Sequence, residues 1–218
     1  MQINRITKCI TCHAGARDEY QLSFALDQKN YLETLVTDLY IPNSLQKYFK
    51  KRYNTSLSSK KVTSLYRNIF LHKLFNISYE KLDTNLSNKV FDLVQNKSTT
   101  LFLSSYTAYE AFNKIKLNNL NNLLLLFQIH PHPLSVNKIL RDEIDYVPIA
   151  RKSILNEQEI NINTTNFQRL IKEPILANKI LVASTFTKNT LIENGVASKN
   201  ITVVPYGVYH NNFKKRIN

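Results

Sequence analysis

The chain is short of glycine, cysteine and acid, and each shortage excludes something. Three glycines in 218 residues leave no place for a G-x-G-x-x-G phosphate loop. Two cysteines, Cys9 and Cys12, are too few and too close for a disulfide framework. Asp and Glu number 16 against 29 Lys and Arg, so the net charge is +13 and the pI about 9.7. Such a field draws anionic partners, whether nucleic acid, acidic lipid or nucleotide phosphate. No long apolar run exists either: the longest, residues 123–127 with Ile129 beyond, is far too short to cross a bilayer. The first ten residues carry Arg5 and Lys8 and no signal-peptide core, so the expectation is a cytoplasmic protein that is not exported. No internal repeat or low-complexity tract is visible.

At 43% hydrophobic residues the chain can bury a full core, and one domain over residues 1–218 is the reading that fits its length. Residues 6–11 read as a strand and 12–17 as a loop. Asp18 then stands as a helix N-cap, with Gln21 completing a capping box. Leu22, Ala25 and Leu26 share one helical face, and Asn30 ends the helix before a strand at 33–37. Between 43 and 97 the pattern weakens to short helical stretches such as 62–75. Strand 99–104, helix 106–116 and strand 122–129 follow, the last apolar enough to be buried on both faces. Pro131 and Pro133 stop it, and 136–144 resumes as helix. Residues 154–165 are polar, forming a loop or an exposed helix. Then come helix 166–177, strand 179–183, helix 187–194 and strand 201–204. This alternation predicts an α/β fold, a Rossmann-like parallel sheet with helices on both faces.

The three glycines fall where loops are needed. Gly15 lies in the first strand-to-helix loop and Gly207 in a turn after the last strand. Gly195 fits a left-handed helix stop, with Val196 folding back onto Leu191 in a Schellman motif. The run Cys9-Ile-Thr-Cys-His13 has the form of a haem-attachment or redox motif. Haem attachment needs export, and a redox pair needs a helix start, whereas the cap at Asp18 comes later. Cys9 therefore reads as core, with Cys12 and His13 lining the loop of Gly15. Lys47, Lys50, Lys51 and Arg52, interleaved with Tyr48, Phe49 and Tyr53, compose a segment suited to an anionic membrane surface. Nucleic acid and a plain solvated basic helix are the alternatives.

The stretch from Lys179 to Val196, followed by Ile201-Thr-Val-Val-Pro-Tyr-Gly-Val208, resembles the end of the N-terminal domain of family 4 glycosyltransferases. Ala14-Gly-Ala-Arg-Asp18, Leu35 to Pro42 and Gln128-Ile-His-Pro131 are similar to earlier parts of the same domain. The resemblance implies one half of a GT-B fold, the acceptor-side half, with residues 205–218 as the hinge segment around Pro205, Tyr206 and Gly207. It departs from the family at Tyr209, where Asp is usual. The chain stops just past the hinge, so the donor domain and its paired-glutamate motif are not in it.

What the resemblance implies for function is the acceptor-binding half of a retaining, nucleotide-sugar-dependent glycosyltransferase for bacterial surface polysaccharide or glycolipid synthesis, inactive without a donor domain. The alternative is a non-catalytic glycan-, lipid- or partner-binding module. His130 takes the catalytic place against the transferring sugar, with His132 second. Either imidazole can serve a sugar hydroxyl or a proton transfer. The Gly15 loop and Arg17 would face the donor diphosphate, since a helix start offers amide groups and a positive dipole end. Glu143, with Asp145 beside it, would bind sugar hydroxyls. No metal or cofactor is expected on this chain, the nucleotide sugar being held by the donor half. The expected partners are a donor-domain polypeptide or C-terminal domain, a glycan or lipid-linked acceptor and the inner membrane surface. Nucleic acid is the less favoured partner.

Overall fold

Seven apolar runs become seven parallel strands, laid side by side in an order that reverses once. The computed structural model describes residues 8–49, 51–95 and 97–207, with all side chains except those of residues 68 and 71–73. The strands are β1 Cys9–His13, β2 Leu32–Thr37, β3 Val62–Ser64, β4 Thr100–Ser104, β5 Leu124–Gln128, β6 Lys179–Val182 and β7 Ile201–Val203. Among the described residues they form one sheet in the order β3-β2-β1-β4-β5-β6-β7, every pair parallel. The helices are α1 Gln21–Gln28, α2 Tyr66–Phe75, α3 Tyr79–Val94, α4 Tyr109–Leu117, α5 Pro133–Tyr146, α6 Arg151–Ile154, α7 Thr165–Leu176 and α8 Thr185–Glu193. The expected α/β, Rossmann-like architecture is the one observed. None of these helices is long and apolar enough to cross a membrane.

Crossover handedness decides which face each helix covers. The step from β1 to β2 runs one way along the sheet, and every step from β4 onward runs the other way. Right-handed connections therefore put α1 on one face and the later helices on the opposite one. On the α1 face Tyr20, Leu32, Leu35, Tyr40 and Leu57 form a small core, and the Thr11 and Ser23 hydroxyls meet at 2.8 Å. The opposite face holds the main core, where Ile10, Cys12, Leu101, Leu103, Leu124, Leu126, Ile180 and Val182 pack on Leu86, Val90, Phe112, Ile115 and Leu191. Each fully buried Leu or Ile contributes about 2 kcal/mol. This arrangement corrects the reading of β5 as buried on both sides: Leu125 and Phe127 are only half-covered, because α1 does not extend over them.

Local chemistry differs from expectation in four places. His13 and Cys12 belong to β1 rather than to the following loop, and both are buried. Asp18 is no N-cap in the ordinary sense. Asp18, Glu19 and Tyr20 all take left-handed backbone angles, the helix begins at Gln21, and Asp18 reaches forward to the Leu22 amide at 3.3 Å. Ala25 is exposed, while Ser23 is the residue α1 buries. The stretch 62–75 is a short strand followed by α2, and the long helix α3 behind it was not legible at all. By contrast Gly195, at φ +89°, ends α8 with the two hydrogen bonds of a Schellman motif, Val196 N–H to Leu191 O and Gly195 N–H to Ile192 O, both 3.0 Å. Tyr209 and Lys50 lie outside the described residues.

The loop between β4 and α4 is held by buried charge. Glu173 of α7 is fully buried and accepts from the Tyr106, Ala108 and Tyr109 amides at 3.0–3.1 Å. Arg169, one turn earlier, grips Glu110 with two hydrogen bonds of 2.6 and 2.8 Å and donates to the Tyr106 carbonyl at 3.1 Å. Burial pushes the Glu173 carboxyl up to about 7 although three amides favour its charged form. A carboxyl raised on folding stabilises below its unfolded pKa and loses that contribution as pH rises through its folded one. Relative to Glu173→Gln, the wild-type chain should lose about 3 kcal/mol of stability between pH 4 and pH 8, read by denaturant unfolding at each pH. Glu173→Ala, which strips three amides of their acceptor, should cost at least about 3 kcal/mol at any pH.

Candidate functional site

The strand order reverses between β1 and β4, and loops leaving these two strands diverge there to open a crevice. A cleft of about 840 Å³ occupies it. Ala14 and Arg17 border it after β1, Ser105, Tyr106 and Thr107 after β4, and His130 after β5. Glu80 and Asp83 enter from the start of α3, and Leu155 to Gln158 with Asn161 form the outer wall. A second cavity of about 610 Å³ lies beyond the Arg17 and His130 side chains, which border both. His13, Asp18, Leu22, Ser104, Phe127, Ile129, Tyr206 and Gly207 complete its walls.

Both strand-end loops are fixed from behind. Asp38, after β2, accepts from the Gly15 amide at 3.0 Å and the Leu39 amide at 2.8 Å, and both its oxygens take Arg52 Nη1 at 3.0 Å. Gly15 sits at φ +77°, a conformation glycine adopts without strain. Its N–H is thus committed within the protein, and the amides at the head of α4 are taken by Glu173 and, at Ala111, by the Ser87 hydroxyl at 2.8 Å. Recognition in this cleft therefore falls to side chains rather than to a helix-end amide nest.

Three charged or titratable groups share the cleft. Desolvation raises the Asp83 carboxyl to about 7, and Arg169 and Arg17 hold it below where burial alone would take it. His130 is pushed down from the usual imidazole value, first by desolvation and then by Arg17. Its ring stands edge-on to Tyr106 at 5.9 Å. Tyr106 is kept at φ +78°, costly for a tyrosine, by the Glu173 and Arg169 bonds on either side of its peptide. Among the described residues three buried side-chain atoms lack a hydrogen-bond partner: His13 Nε2, Ser105 Oγ and Gln128 Oε1. All three lie at the carboxyl ends of β1, β4 and β5, where ligands of such sheets bind.

The structure brings together Arg17 and His130 from the sequence-derived set, with the Gly15 loop beside them, and sets the others apart. His132 is buried and caps α5, its Nδ1 accepting from the Leu134 amide at 3.3 Å while its backbone N–H donates to Thr190 Oγ1 at 3.0 Å. Desolvation keeps it neutral down to about 4. Glu143 and Asp145 are exposed on α5 and border neither cleft. Pro205, Tyr206 and Gly207 are exposed, Tyr206 stands edge-on to Phe127 at 6.2 Å, and Tyr206 and Gly207 form one wall of the second cavity, while residues 208–218 lie outside the described residues. Lys47 is exposed over the Tyr48 ring, Lys51 is exposed, and Arg52 turns inward to Asp38 instead of outward. Cys9 and Cys12 are free and buried, burial raising both thiols and leaving them inert.

Asp83 and Ser105 escaped the sequence reading. Asp83 sits in the segment where no periodicity was legible, and a carboxylate one turn into a helix carries no local mark of burial. Arg17 depresses both Asp83 and His130, so Arg17→Ala should move both titrations to higher pH, Asp83 upward from about 7 and His130 toward its ordinary value, as followed by NMR.

No protein-family model matches the chain, and no curated protein sequence matches it. Solved structures do. The chain is similar to UDP-GlcNAc 2-epimerase from Neisseria meningitidis bound to UDP-GlcNAc, at TM-score 0.45 and 10% identity, over 90% of this chain and 45% of that one. It is similar to a putative UDP-N-acetylglucosamine 2-epimerase from Listeria monocytogenes, at TM-score 0.45 and 12% identity, over 90% and 43%. A UDP-glucosyltransferase from Polygonum tinctorium aligns at TM-score 0.41 and 9% identity, over 93% of this chain and 53% of that one. The chain spans about half the length of these structures or less.

Proposed function

We propose that this chain is the acceptor-binding half of a retaining, nucleotide-sugar-dependent glycosyltransferase that builds a bacterial surface polysaccharide or glycolipid. The observation that carries the reading is the 840 Å³ cleft at the reversal of strand order, where a carboxyl, an imidazole, a guanidinium and hydroxyl groups converge. Polyols are held by such mixed donors and acceptors, and Arg17 supplies the charge a donor diphosphate needs. In this reading His130 lies against the transferring sugar and Asp83 takes an acceptor hydroxyl. Arg17 rather than the Gly15 amide meets phosphate, because Asp38 already occupies that amide. The nucleotide sugar itself sits on a donor domain, supplied by another polypeptide or by more of the same protein. The cleft of a binding module without transfer would look the same, so activity separates the two readings.

The working surface we propose is an anionic membrane on the cytoplasmic side. Lys47 and Lys51 stand exposed beside the exposed rings of Tyr48 and Phe49. On α2, Tyr66, Phe70 and Leu74 repeat every four residues and are each more than 60% exposed, which sets an apolar stripe on one helix face. The excess of positive charge favours acidic lipid.

Transfer from a panel of nucleotide sugars to membrane-extract acceptors, with and without a separately supplied donor domain, is the deciding measurement. Product is expected only with the donor domain, and His130→Ala or Asp83→Asn should lower kcat by about 100-fold. Acceptor binding with no transfer under any condition would leave only the binding-module reading. For the membrane, co-sedimentation with phosphatidylglycerol vesicles should weaken about tenfold or more in the Lys47→Ala, Lys51→Ala double variant, and fall further with salt.

A further inference from the structure

His13 ends the central strand β1, is buried, and borders the 610 Å³ cavity on the α1 side of the sheet edge. Its Nδ1 lies 3.1 Å from the Gly15 carbonyl. A carbonyl oxygen only accepts, so the neutral ring carries its proton on Nδ1 and presents a bare lone pair at Nε2. Desolvation keeps the imidazole neutral down to about 4, so the tautomer holds through the physiological range. Nε2 is buried and has no hydrogen-bond partner in the protein, an omission native cores rarely tolerate without a water, an ion or a ligand. The Tyr20 ring, 5.4 Å away, packs against the imidazole and offers Nε2 nothing, because the Tyr20 hydroxyl donates to the Leu39 carbonyl at 3.0 Å. Leu22, Phe127, Ile129 and the exposed Tyr206 ring supply the cavity's apolar walls, and Arg17, Asp18, Ser104 and His130 its polar ones.

These features select a ligand by chemistry. A carboxylate oxygen or an ionised phosphate oxygen brings an acceptor to an atom that is itself an acceptor, so anionic oxygens are excluded at Nε2. An aliphatic hydrocarbon would leave the lone pair bare. What satisfies both halves is a neutral ring with a hydroxyl on its edge and C–H groups on its face. We propose that the cavity between His13, Phe127 and Tyr206 is a subsite for an uncharged hydroxylated ring, a sugar or another cyclic alcohol, one of whose hydroxyls donates to His13 Nε2 while its apolar face rests on the aromatic side chains. The subsite is separate from the Asp83 cleft and does not depend on glycosyl transfer. Arg17 and His130, which border both spaces, place the two ligands side by side.

The test is long-range ¹H–¹⁵N NMR of the chain labelled at its five histidines, titrated with phenyl β-D-glucopyranoside and, separately, with inorganic phosphate. The His13 signals are identified by their loss in His13→Gln. A saturable displacement of the His13 Nε2 resonance by the glucoside, and none by phosphate, is expected. His13→Phe should bind the glucoside about three- to tenfold more weakly, with His13→Gln, which keeps an acceptor oxygen, between the two. Tyr206→Ala, at an exposed position that folding does not need, should weaken binding by a similar three- to tenfold or so. Glucoside that leaves Nε2 unmoved, phosphate that moves it equally, or a Tyr206→Ala chain that binds unchanged would each overturn the subsite. Asp83→Asn separates this result from the transferase reading: it should lower transfer by about 100-fold and leave the His13 displacement as in the wild type.

Discussion

Most of the site hangs on one buried arrangement of charge, Glu173 and Arg169 of α7 against the head of α4. A buried ion pair is a poor source of stability, since desolvation offsets most of the Coulombic gain, but it is an exacting source of position. Here Arg169 binds Glu110 with two parallel hydrogen bonds and Tyr106 with a third, while Glu173 accepts from the Tyr106, Ala108 and Tyr109 amides. The loop so held carries Ser105, Tyr106 and Thr107 into the cleft, and keeps Tyr106 in a backbone conformation it would otherwise leave. Because α4's leading amides are satisfied from within, the chemistry of the cleft passes to side chains.

The first loop is held in the same manner by Asp38. Its carboxylate ties the Gly15 amide and Arg52 together, so a residue that the basic segment seemed to offer to solvent instead braces the loop that positions Arg17. Arg17 then acts at a distance on two titrating groups, drawing Asp83 down against the effect of burial and His130 down together with it. One guanidinium thus couples the protonation of a carboxyl and an imidazole across the crevice.

The sheet's topology explains why there are two spaces and not one. All connections from β4 onward lay their helices on one face, so the edge of the sheet is crowded on that side by the 155–166 segment and left open on the other beside Phe127 and Tyr206. Arg17 and His130 stand on the divide. Two of the three orphaned polar atoms follow that divide, His13 bordering the open side and Ser105 the crowded one.

The sequence by itself determined six of the seven strands, most helices, the alternation and hence the parallel sheet, because these follow from periodicity and caps within a few residues of each other. Gly195 and its Schellman bonds were readable for that reason, and so were the loops that carry Arg17 and His130. The residues that make the site work were not. Glu173 meets Tyr106 across 67 positions and Arg169 meets Glu110 across 59, Asp83 is raised by burial among residues of other elements, and the inward turn of Arg52 depends on Asp38. A lone histidine in β1 reads as core or loop until the fold shows that its one free nitrogen is left unpaired at a cavity wall. Protonation, partnership and desolvation are sums over neighbours in space, and only the tertiary structure decides which neighbours those are.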